Sequence, residues 1–380
     1  MGFLSVNGCL VLILMTTTIP LQLVLAAAGG RRRSDAPAMY VFGDSTMDVG
    51  NNNYLPGDFP RADKPYYGVD FPGSRPTGRW SNAKALGFRR SPPAYLSLTP
   101  GTSRRVVRGI GGVSYASAGA GILDSTHAGK YTPLSKQVRN FGATRAQIVA
   151  QLGNCTANDM LSKSLFLISI GSNDIAVFAT AVSHKSMSAT ELQSDVAALY
   201  RSLISNYTAA ITELYGMGER KFGVINAAAI GCVPATRAQS PTGACAGGLN
   251  ELVAGFNDAL RSVLARLGSD RRSLHGGLAY AVADLYGLMQ ATIANPRAYE
   301  ERGQRVLRRR AAGGGERLLP SCQPNATLCV DRRRYLFWDS SHPTQRAAKL
   351  IASAFYGDLA RFTAPISFKQ LVRSNPGTGS

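Results

Sequence analysis

Two segments far apart in the chain carry residue types that together could perform nucleophilic catalysis. Asp339 stands three residues before His342 in Tyr335–Ala352, YLFWDSSHPTQRAAKLIA, and Ser45 lies in Tyr40–Leu55, YVFGDSTMDVGNNNYL. A serine hydroxyl is a weak nucleophile until a base removes its proton, and an aspartate can orient a histidine for that task. Each segment alone has a simpler interpretation, because Gly-Asp-Ser is ordinary turn chemistry and a lone histidine is most often structural. The catalytic interpretation therefore requires a fold that brings the two segments together.

Two further segments carry hydrogen-bond donors that could stabilise a developing negative charge. Leu165–Ile175, LFLISIGSNDI, ends in a polar cluster, and the amide of Asn173 could donate to an oxyanion. Gly112–Thr126, GVSYASAGAGILDST, is rich in small residues that let backbone N–H groups approach a ligand. The alternatives are a turn or helix cap for the asparagine and a close-packed turn for the glycines. The small-residue run lacks the GxGxxG pattern, so a dinucleotide site is not predicted.

Apolar segments that alternate with helical periodicity indicate an α/β fold. Four buried strands are predicted at Met39–Phe42, Leu165–Ile175, Lys221–Asn226 and Leu278–Ala283, and helices at Leu134–Leu152, Ala189–Met217, Leu249–Leu267 and Leu285–Ile293. This alternation is typical of a parallel sheet with helices on both faces. Ligands bind at the carboxyl ends of the strands in such sheets. Ser45 and Asn173 both follow a predicted strand, so both are expected at a carboxyl end.

The first residues differ in composition from the rest of the chain. An uncharged apolar run, Cys9–Leu25, precedes three small residues, Ala26–Ala28, which suit signal-peptidase cleavage. A membrane anchor is the alternative, since a positive amino-terminal region is missing. We interpret residues 1–28 as a signal peptide, 29–37 as a linker, 38–365 as a single domain and 366–380 as a C-terminal tail. The protein is expected to be secreted and to have no stable membrane span.

Secretion affects how the cysteines and the glycosylation motifs are interpreted. Apart from Cys9, five cysteines remain: Cys155, Cys232, Cys245, Cys322 and Cys329. Two close pairs among them could form small disulfide loops, which leaves one odd thiol. No CxxC pair is present, so a zinc site is not predicted. Three Asn-X-Ser/Thr motifs fit glycosylation on a secretory route, at Asn154, Asn206 and Asn325.

The net charge of +19 limits the kinds of partner that the protein can have. Most of it comes from arginine runs such as Arg308–Arg310 and Arg332–Arg334. A field of this sign favours acidic surfaces such as lipid head groups or anionic polysaccharide, including an anionic cell-wall polymer. The runs lie in loops and termini without interleaved aromatic residues or a nucleic-acid-binding motif, so no nucleic-acid partner is expected. A solvated surface biased toward arginine is the simpler interpretation.

The four segments, with TGRWSN at Thr77–Asn82 and GCVP at Gly231–Pro234, resemble the GDSL esterase/lipase family of the SGNH hydrolase superfamily, in its plant secreted branch. The resemblance extends in order over about residues 38–360. It implies a three-layer α/β/α sandwich around a five-strand parallel sheet, flavodoxin-like in strand order. Four of those strands follow from the residues alone, and the fifth is expected between Val106 and Ala116.

The resemblance also implies a role for each candidate residue. Ser45 would be the nucleophile, His342 its general base and Asp339 the acid that orients the imidazole. The oxyanion would be held by the N–H of Ser45, the N–H of Gly119 and the amide of Asn173. Gly121 is the rival for the glycine role, because the small-residue run aligns either way.

The implied activity is two-step hydrolysis of carboxylic esters without a metal or cofactor. The substrates would be acyl lipids, acetylated polysaccharides or small-molecule esters, and the protein is expected to be a monomer. The same acyl-enzyme could instead pass its acyl group to an alcohol, which would make the protein an acyltransferase. A catalytically impaired, cell-wall-associated binding protein is the other alternative, because a fold does not establish an activity.

The chain departs from the family pattern at three places. Ser114 stands where the family usually has asparagine. The stretch after Asn82 is several residues short, which predicts a truncated helix. Glu300–Leu319 lacks an expected cysteine pair and is charged and glycine-rich, which predicts a segment without regular structure. These departures concern stability and pocket shape more than the catalytic residues.

Overall fold

The computed structural model describes residues 36–80, 91–270, 278–296, 330–357 and 361–374, together with short strands between residues 302 and 328. The strands are β1 (Ala38–Gly43), β2 (Gly111–Ser114), β3 (Leu165–Ser169), β4 (Lys221–Ile225), β5 (Ala279–Ala283), β6 (Arg302–Arg305), β7 (Leu307–Arg310), β8 (Glu316–Arg317), β9 (Thr327–Leu328), β10 (Tyr335–Phe337) and β11 (Thr363–Ala364). The helices are α1 (Pro100–Val106), α2 (Leu134–Leu152), α3 (Asn154–Lys163), α4 (Ser172–Ser183), α5 (Ala189–Gly216), α6 (Pro234–Arg237), α7 (Gly247–Ser269), α8 (Leu285–Ala294), α9 (Gln345–Tyr356) and α10 (Phe368–Arg373).

The main sheet has the strand order β11-β5-β4-β3-β1-β2. Strands β1 to β5 are parallel, and their order is that of flavodoxin-like sheets. The predicted three-layer α/β/α fold with a five-strand parallel core is therefore confirmed, and β2 lies between Val106 and Ala116 as expected. A sixth strand, β11, pairs antiparallel with the edge strand β5. Two residues carry too little periodicity to predict such a strand.

Side chains alternate between the two faces of the sheet and supply two separate cores. Tyr40 and Phe42 of β1 pack into the larger core, which helices α2, α5 and α7 cover. Met39 and Val41, the alternate residues, pack into the second core, which α8, α9 and α10 cover. This period of two is what a central strand buried on both faces requires. Every residue of β1 is buried, so the strand that leads to Ser45 is anchored from both sides.

The predicted helices match closely, whereas two other segments contain regular structure that the sequence analysis did not predict. The C-terminal tail expected from residue 366 contains α10, whose Phe368 and Leu371 are fully buried in the second core. The segment Glu300–Leu319, expected to lack regular structure, contains β6, β7 and β8, because backbone pairing with neighbouring strands needs no apolar periodicity. The helix predicted to be truncated after Asn82 lies outside the described residues.

One of the two predicted disulfides is present. Cys232 bonds to Cys245 and ties the turn Ile230–Cys232 to the segment that precedes α7. The Cys322 and Cys329 pair lies outside the described residues. Cys155 is exposed and forms no disulfide with any described residue. No helix within the described part of the chain is long and apolar enough to cross a membrane.

Candidate active site

The turn after β1 holds Ser45 at the carboxyl end of the sheet. The N–H of Asp44 donates to the carbonyl of Ser169 on β3 (3.1 Å), and a Cβ at Gly43 would collide with that same oxygen. Glycine is therefore required for the two strand ends to come this close. The buried carboxylate of Asp44 accepts hydrogen bonds from the N–H and hydroxyl of Thr46 (3.0 and 2.8 Å). These contacts close the turn and leave Ser45 partly exposed at its tip.

Asp339 and His342 form a hydrogen-bonded pair on the loop between β10 and α9. His342 Nδ1 lies 2.9 and 2.8 Å from the two carboxylate oxygens of Asp339. The same carboxylate accepts from the backbone N–H groups of Ser341 (2.8 Å) and His342 (2.7 Å), so the loop itself fixes the acid. Thr344 caps α9 by accepting from the N–H of Ala347 (3.1 Å). The helix therefore begins at Gln345, three residues after His342.

Contact between Asp339 and His342 shifts the pKa of both residues. Burial alone would lower the pKa of His342, but the charge of Asp339, its hydrogen bond and the charge of Asp44 raise the pKa above the usual 6.5. Burial alone would raise the pKa of Asp339, but His342 and the backbone donors hold it below its usual range. The carboxylate is fully buried, and the imidazole side chain is 12% exposed. His342 can therefore accept a proton and keep it beside a fixed negative charge.

Asn173 lies in the first turn of α4, directly after β3. Its side-chain Nδ2 donates to the carbonyl of Ala120 (2.9 Å), which fixes the orientation of the amide. An asparagine amide has two N–H donors, so one remains for a ligand. The next residue, Asp174, accepts from the N–H groups of Ile122 (2.9 Å) and Leu123 (3.0 Å). The sequence-predicted strand Leu165–Ile175 thus divides into β3 and the start of a helix, which joins the Asn173 segment to the glycine-rich segment.

A cavity of about 330 Å³ brings three of the predicted site residues together. Ser45, Asn173 and His342 line it at one end, and the rest of its lining is mainly aliphatic and aromatic. The Ser45 hydroxyl makes no hydrogen bond with a described residue; such catalytic contacts often tighten only when substrate binds. Within the described ranges, no cluster of three or more His, Cys, Asp or Glu side chains could hold a metal ion.

A serine in a fixed turn, a buried Asp–His pair and an oriented amide around one cavity agree with what comparison of the sequence finds. The GDSL-like lipase/acylhydrolase family model matches residues 39–355. The chain belongs to that family. Two GDSL esterase/lipases of Arabidopsis thaliana are 36% and 34% identical to it, over 92% of this chain and 93% and 92% of their own lengths. As a member of the GDSL family, the protein is a carboxylic ester hydrolase.

Likeness to solved structures is much weaker than likeness to the GDSL relatives. A lipase from a goat rumen metagenome is 11% identical with a TM-score of 0.35, covering 83% of this chain and 94% of its own. A TM-score and a sequence identity this low support no inference about substrate or mechanism.

The two candidate oxyanion glycines, Gly119 and Gly121, are fixed by backbone contacts but are not part of the cavity lining. Gly119 has φ +87°, and a Cβ there would collide with the ring of Tyr131. Its carbonyl accepts from Nδ1 of His127 at 2.9 Å. The carbonyl of Gly121 accepts from the N–H of Leu134 (3.0 Å). Neither glycine is among the described residues that line the cavity. The cavity lining therefore does not decide between Gly119 and Gly121 as the oxyanion donor.

The sequence did not predict two aromatic residues that lie next to the Asp339–His342 pair. The buried hydroxyl of Tyr67 donates to Oδ2 of Asp339 at 2.8 Å. The ring of Trp80 packs 4.7 Å from the ring of His342, centroid to centroid. Both lie in residues 56–80, a stretch that is rich in aromatic residues. The only sequence signal for these contacts was the density of aromatic residues in this stretch. The spacing of those residues along the chain does not indicate a contact with Asp339.

Gln137 was also missed, because a polar residue is not expected on the buried face of a helix. The residue is fully buried on α2. Its Oε1 accepts from the N–H of Gly43 (2.8 Å), and its Nε2 donates to the carbonyls of Gly43 (2.8 Å) and Thr132 (2.8 Å). Gln137 therefore fixes both backbone groups of the residue that begins the Ser45 turn.

A buried polar network joins the Ser45 segment to the glycine-rich segment. The carboxylate of Asp48 accepts from the N–H of Ala118 (3.1 Å), and Asn51 Nδ2 donates to the carbonyls of Ser114 (2.9 Å) and Ala116 (2.8 Å). Burial raises the pKa of Asp48 to about 6, although its backbone donors act to lower it. Ser114, which departs from the family pattern, donates to the carbonyl of Met47 (3.2 Å). Serine therefore still joins the two segments at this position.

Proposed function

We propose that the protein is a secreted serine hydrolase that cleaves carboxylic esters through a Ser45, His342 and Asp339 triad. The observation that carries the proposal is the single cavity lined by Ser45, His342 and Asn173, with Asp339 hydrogen-bonded behind the imidazole. Acyl transfer needs a nucleophile, a base that removes the proton of the nucleophile, and an acid that orients the base. The raised pKa of His342 supports the assignment, since the imidazolium that forms during the reaction is stabilised by Asp339.

The reaction would proceed in two halves. His342 removes the proton of the Ser45 hydroxyl as the serine oxygen bonds to the ester carbonyl carbon, and the carbonyl oxygen becomes an oxyanion. The intermediate collapses, its bond to the alcohol oxygen breaks, and His342 gives the proton to the departing alcohol. Water then attacks the acyl-enzyme with His342 again as base. The carboxylic acid leaves, and the proton returns to Ser45.

The oxyanion would be held by the N–H of Ser45, the side-chain amide of Asn173 and the N–H of Gly119, with Gly121 as the rival glycine. Support comes from Asn173, which lines the cavity and has its orientation fixed by the carbonyl of Ala120. Removing one such donor costs about 3 kcal/mol of transition-state stabilisation in other acyl-transfer enzymes, roughly a hundredfold in rate.

Secretion and a surface partner are part of the same proposal. The signal peptide expected at residues 1–28 precedes the described part of the chain, and Asn325 also lies outside it. Asn154 and Asn206 are both exposed, as glycosylation requires. The net charge of +19 would favour retention on an anionic cell-wall polymer. We propose a monomer that acts on an acyl lipid, an acetylated polysaccharide or a small-molecule ester.

The deciding experiment compares the protein with Ser45→Ala on p-nitrophenyl butyrate. Loss of the nucleophile should lower kcat by at least about a thousandfold, as in enzymes whose triad acts as a unit. Ser353→Ala, on the exposed side of α9, is the matched control and should keep full activity. Equal rates for Ser45→Ala and the unaltered protein would exclude the triad and favour a binding protein. Turnover only in the presence of an alcohol acceptor would favour an acyltransferase.

A further inference from the structure

The cavity extends away from Ser45 between two helices of the second core. On α8 it is lined by Leu285, Leu288, Met289 and Thr292, and on α9 by Ala348, Ile351, Ala352 and Phe355. Both sets follow the spacing i, i+3, i+4, i+7, so each is one continuous face of its helix. Such faces normally pack against a neighbouring element. Here both helices turn that face toward the same open space.

The polar groups of the cavity are concentrated at its catalytic end. Away from Ser45 and His342, the sheet contributes Leu167 of β3 and Ile225 of β4 as its floor. The one hydroxyl on the α8 face, that of Thr292, already donates to the carbonyl of Leu288 (2.8 Å). Water needs two to four polar partners to be held in a cavity, and this end offers few. An apolar ligand therefore suits this space better than water or a sugar.

The direction of α9 relates this apolar space to the reaction. The helix begins at Gln345, three residues after His342, and Phe355 is ten residues further on. At 1.5 Å of rise per residue, Phe355 lies about 15 Å along the axis from the start of the helix. A group bonded to a carbonyl carbon at Ser45 would therefore extend along α9 into the apolar part of the cavity.

We infer that this cavity binds the acyl chain of the ester, and that the substrates are esters of medium-chain aliphatic acids rather than acetyl esters. The face of α9 that lines the cavity extends from Ala348 to Phe355, which is about 10 Å of helix rise and matches an extended chain of roughly eight carbon atoms. The inference rests on the proposed function, because it assigns the cavity to the acyl side of the bond that Ser45 attacks.

The first test is a series of p-nitrophenyl esters from acetate to palmitate with the full-length protein. Each buried methylene contributes about 0.8 kcal/mol, so kcat/KM should rise up to about fourfold per carbon. The rise should stop near octanoate or decanoate, where the cavity is full, and palmitate should be a poorer substrate. A preference for acetate over octanoate would overturn the inference.

The second test reduces the space. Ala352→Phe adds a ring on the cavity face of α9, and the ratio of kcat/KM for decanoate over acetate should fall at least tenfold. Ser353→Phe adds the same ring one residue later on the exposed side and should leave the ratio unchanged. Cooperative thermal unfolding checks that Ala352→Phe is folded. An unchanged ratio in a folded Ala352→Phe protein would contradict the inference.

Phe355→Leu provides a test in the opposite direction, because it enlarges the far end of the cavity. The acyl chain that it prefers should be longer than the chain preferred by the unaltered protein, and an unchanged preference would contradict the inference.

The Ser45→Ala variant distinguishes failure of the proposed function from failure of the acyl-chain assignment. If hydrolysis depends on Ser45 but chain length has no effect in any variant, only the acyl-chain assignment is wrong. If Ser45→Ala retains full activity, the proposed function itself is wrong.

Discussion

Tyr67 shows how a single hydroxyl can support the proposed triad from a distant part of the chain. It donates to Oδ2 of Asp339 at 2.8 Å, and Asp339 in turn accepts from the imidazole of His342. Tyr67 touches no reacting atom, so we regard it as a positioning residue. Its hydrogen bond stabilises the carboxylate and limits how strongly that carboxylate attracts the proton of His342.

Tyr67→Phe should lower kcat by about tenfold and shift the acidic limb of the pH–rate profile to higher pH. The carboxylate of Asp339 loses a donor and becomes more basic, so the already raised pKa of His342 rises further and its neutral form requires higher pH. The measurement is kcat/KM for p-nitrophenyl butyrate between pH 5 and 9. Tyr54→Phe, at an exposed tyrosine thirteen residues before Tyr67, is the control. A lower rate with an unmoved limb would indicate a merely structural role.

At the residue scale, the sequence could propose candidate site residues but not the residues that hold them in place. Ser45 and Asn173 could be proposed because each follows an apolar strand, and His342 because an acid stands three residues before it. Tyr67 could not be proposed, because its contact spans 272 positions in the chain. Local spacing carries no information about such a contact.

Helix α2 is the element that fixes the Ser45 turn. Through Gln137 it bonds the N–H and the carbonyl of Gly43, so the end of β1 is fixed by a helix that begins 91 residues later. The helix itself could be predicted from its apolar spacing, and its bounds agree with the prediction. Gln137 could not, because a polar residue on the buried face of a helix contradicts the pattern that identifies the helix.

Gln137→Met should lower kcat by about ten- to a hundredfold while changing KM much less. Methionine keeps the volume but removes all three hydrogen bonds, so the Gly43 peptide loses partners and the Ser45 turn loses its fixed geometry. Gln147→Met, on the exposed face of the same helix, is the matched control. Initial rates and thermal unfolding should be measured together. If kcat is unchanged in a folded Gln137→Met protein, the bond is not needed to position the turn.

At the scale of the whole molecule, the two faces of the main sheet differ in how tightly they are packed. The larger core, under α2, α5 and α7, is built around close contacts between aromatic rings such as Tyr40 and Phe166, whose centroids lie 4.9 Å apart. The second core, under α8 and α9, includes the cavity that leads from Ser45. The sheet order and the number of parallel strands could be predicted from alternation and resemblance. The cavity could not, because it depends on how far two helices stand apart.

Glu219 is the exception to the apolar packing beside the larger core. It is fully buried just before β4, and neither carboxylate oxygen has a hydrogen-bond partner among the described residues. Burial raises the pKa of Glu219 well above its usual value, although the charges of Arg145 and Arg220 act to lower it. A group of this kind makes stability depend on pH across the whole molecule.

Glu219→Gln should stabilise the protein, and more so at higher pH. Because the folded-state pKa of Glu219 lies above the unfolded value of about 4.3, the folded state holds the proton more tightly. Its contribution to stability therefore falls as pH rises from the unfolded pKa toward the folded pKa. Glutamine carries no charge at any of these pH values, so the loss disappears. At roughly 2–4 °C per kcal/mol, the gain in Tm should be measurable by calorimetry.

The pH dependence of that gain separates titration of Glu219 from a simple packing effect. The difference in Tm between Glu219→Gln and the unaltered protein should be larger at pH 8 than at pH 5. Glu213→Gln, at an exposed position on α5, removes the same charge without removing a buried carboxyl and should show little change in Tm at either pH. If the gain for Glu219→Gln were equal at both pH values, the carboxyl would not titrate differently in the folded and unfolded states. Burial would then not control its charge, and the larger core would contribute nothing to the pH dependence of stability through this residue.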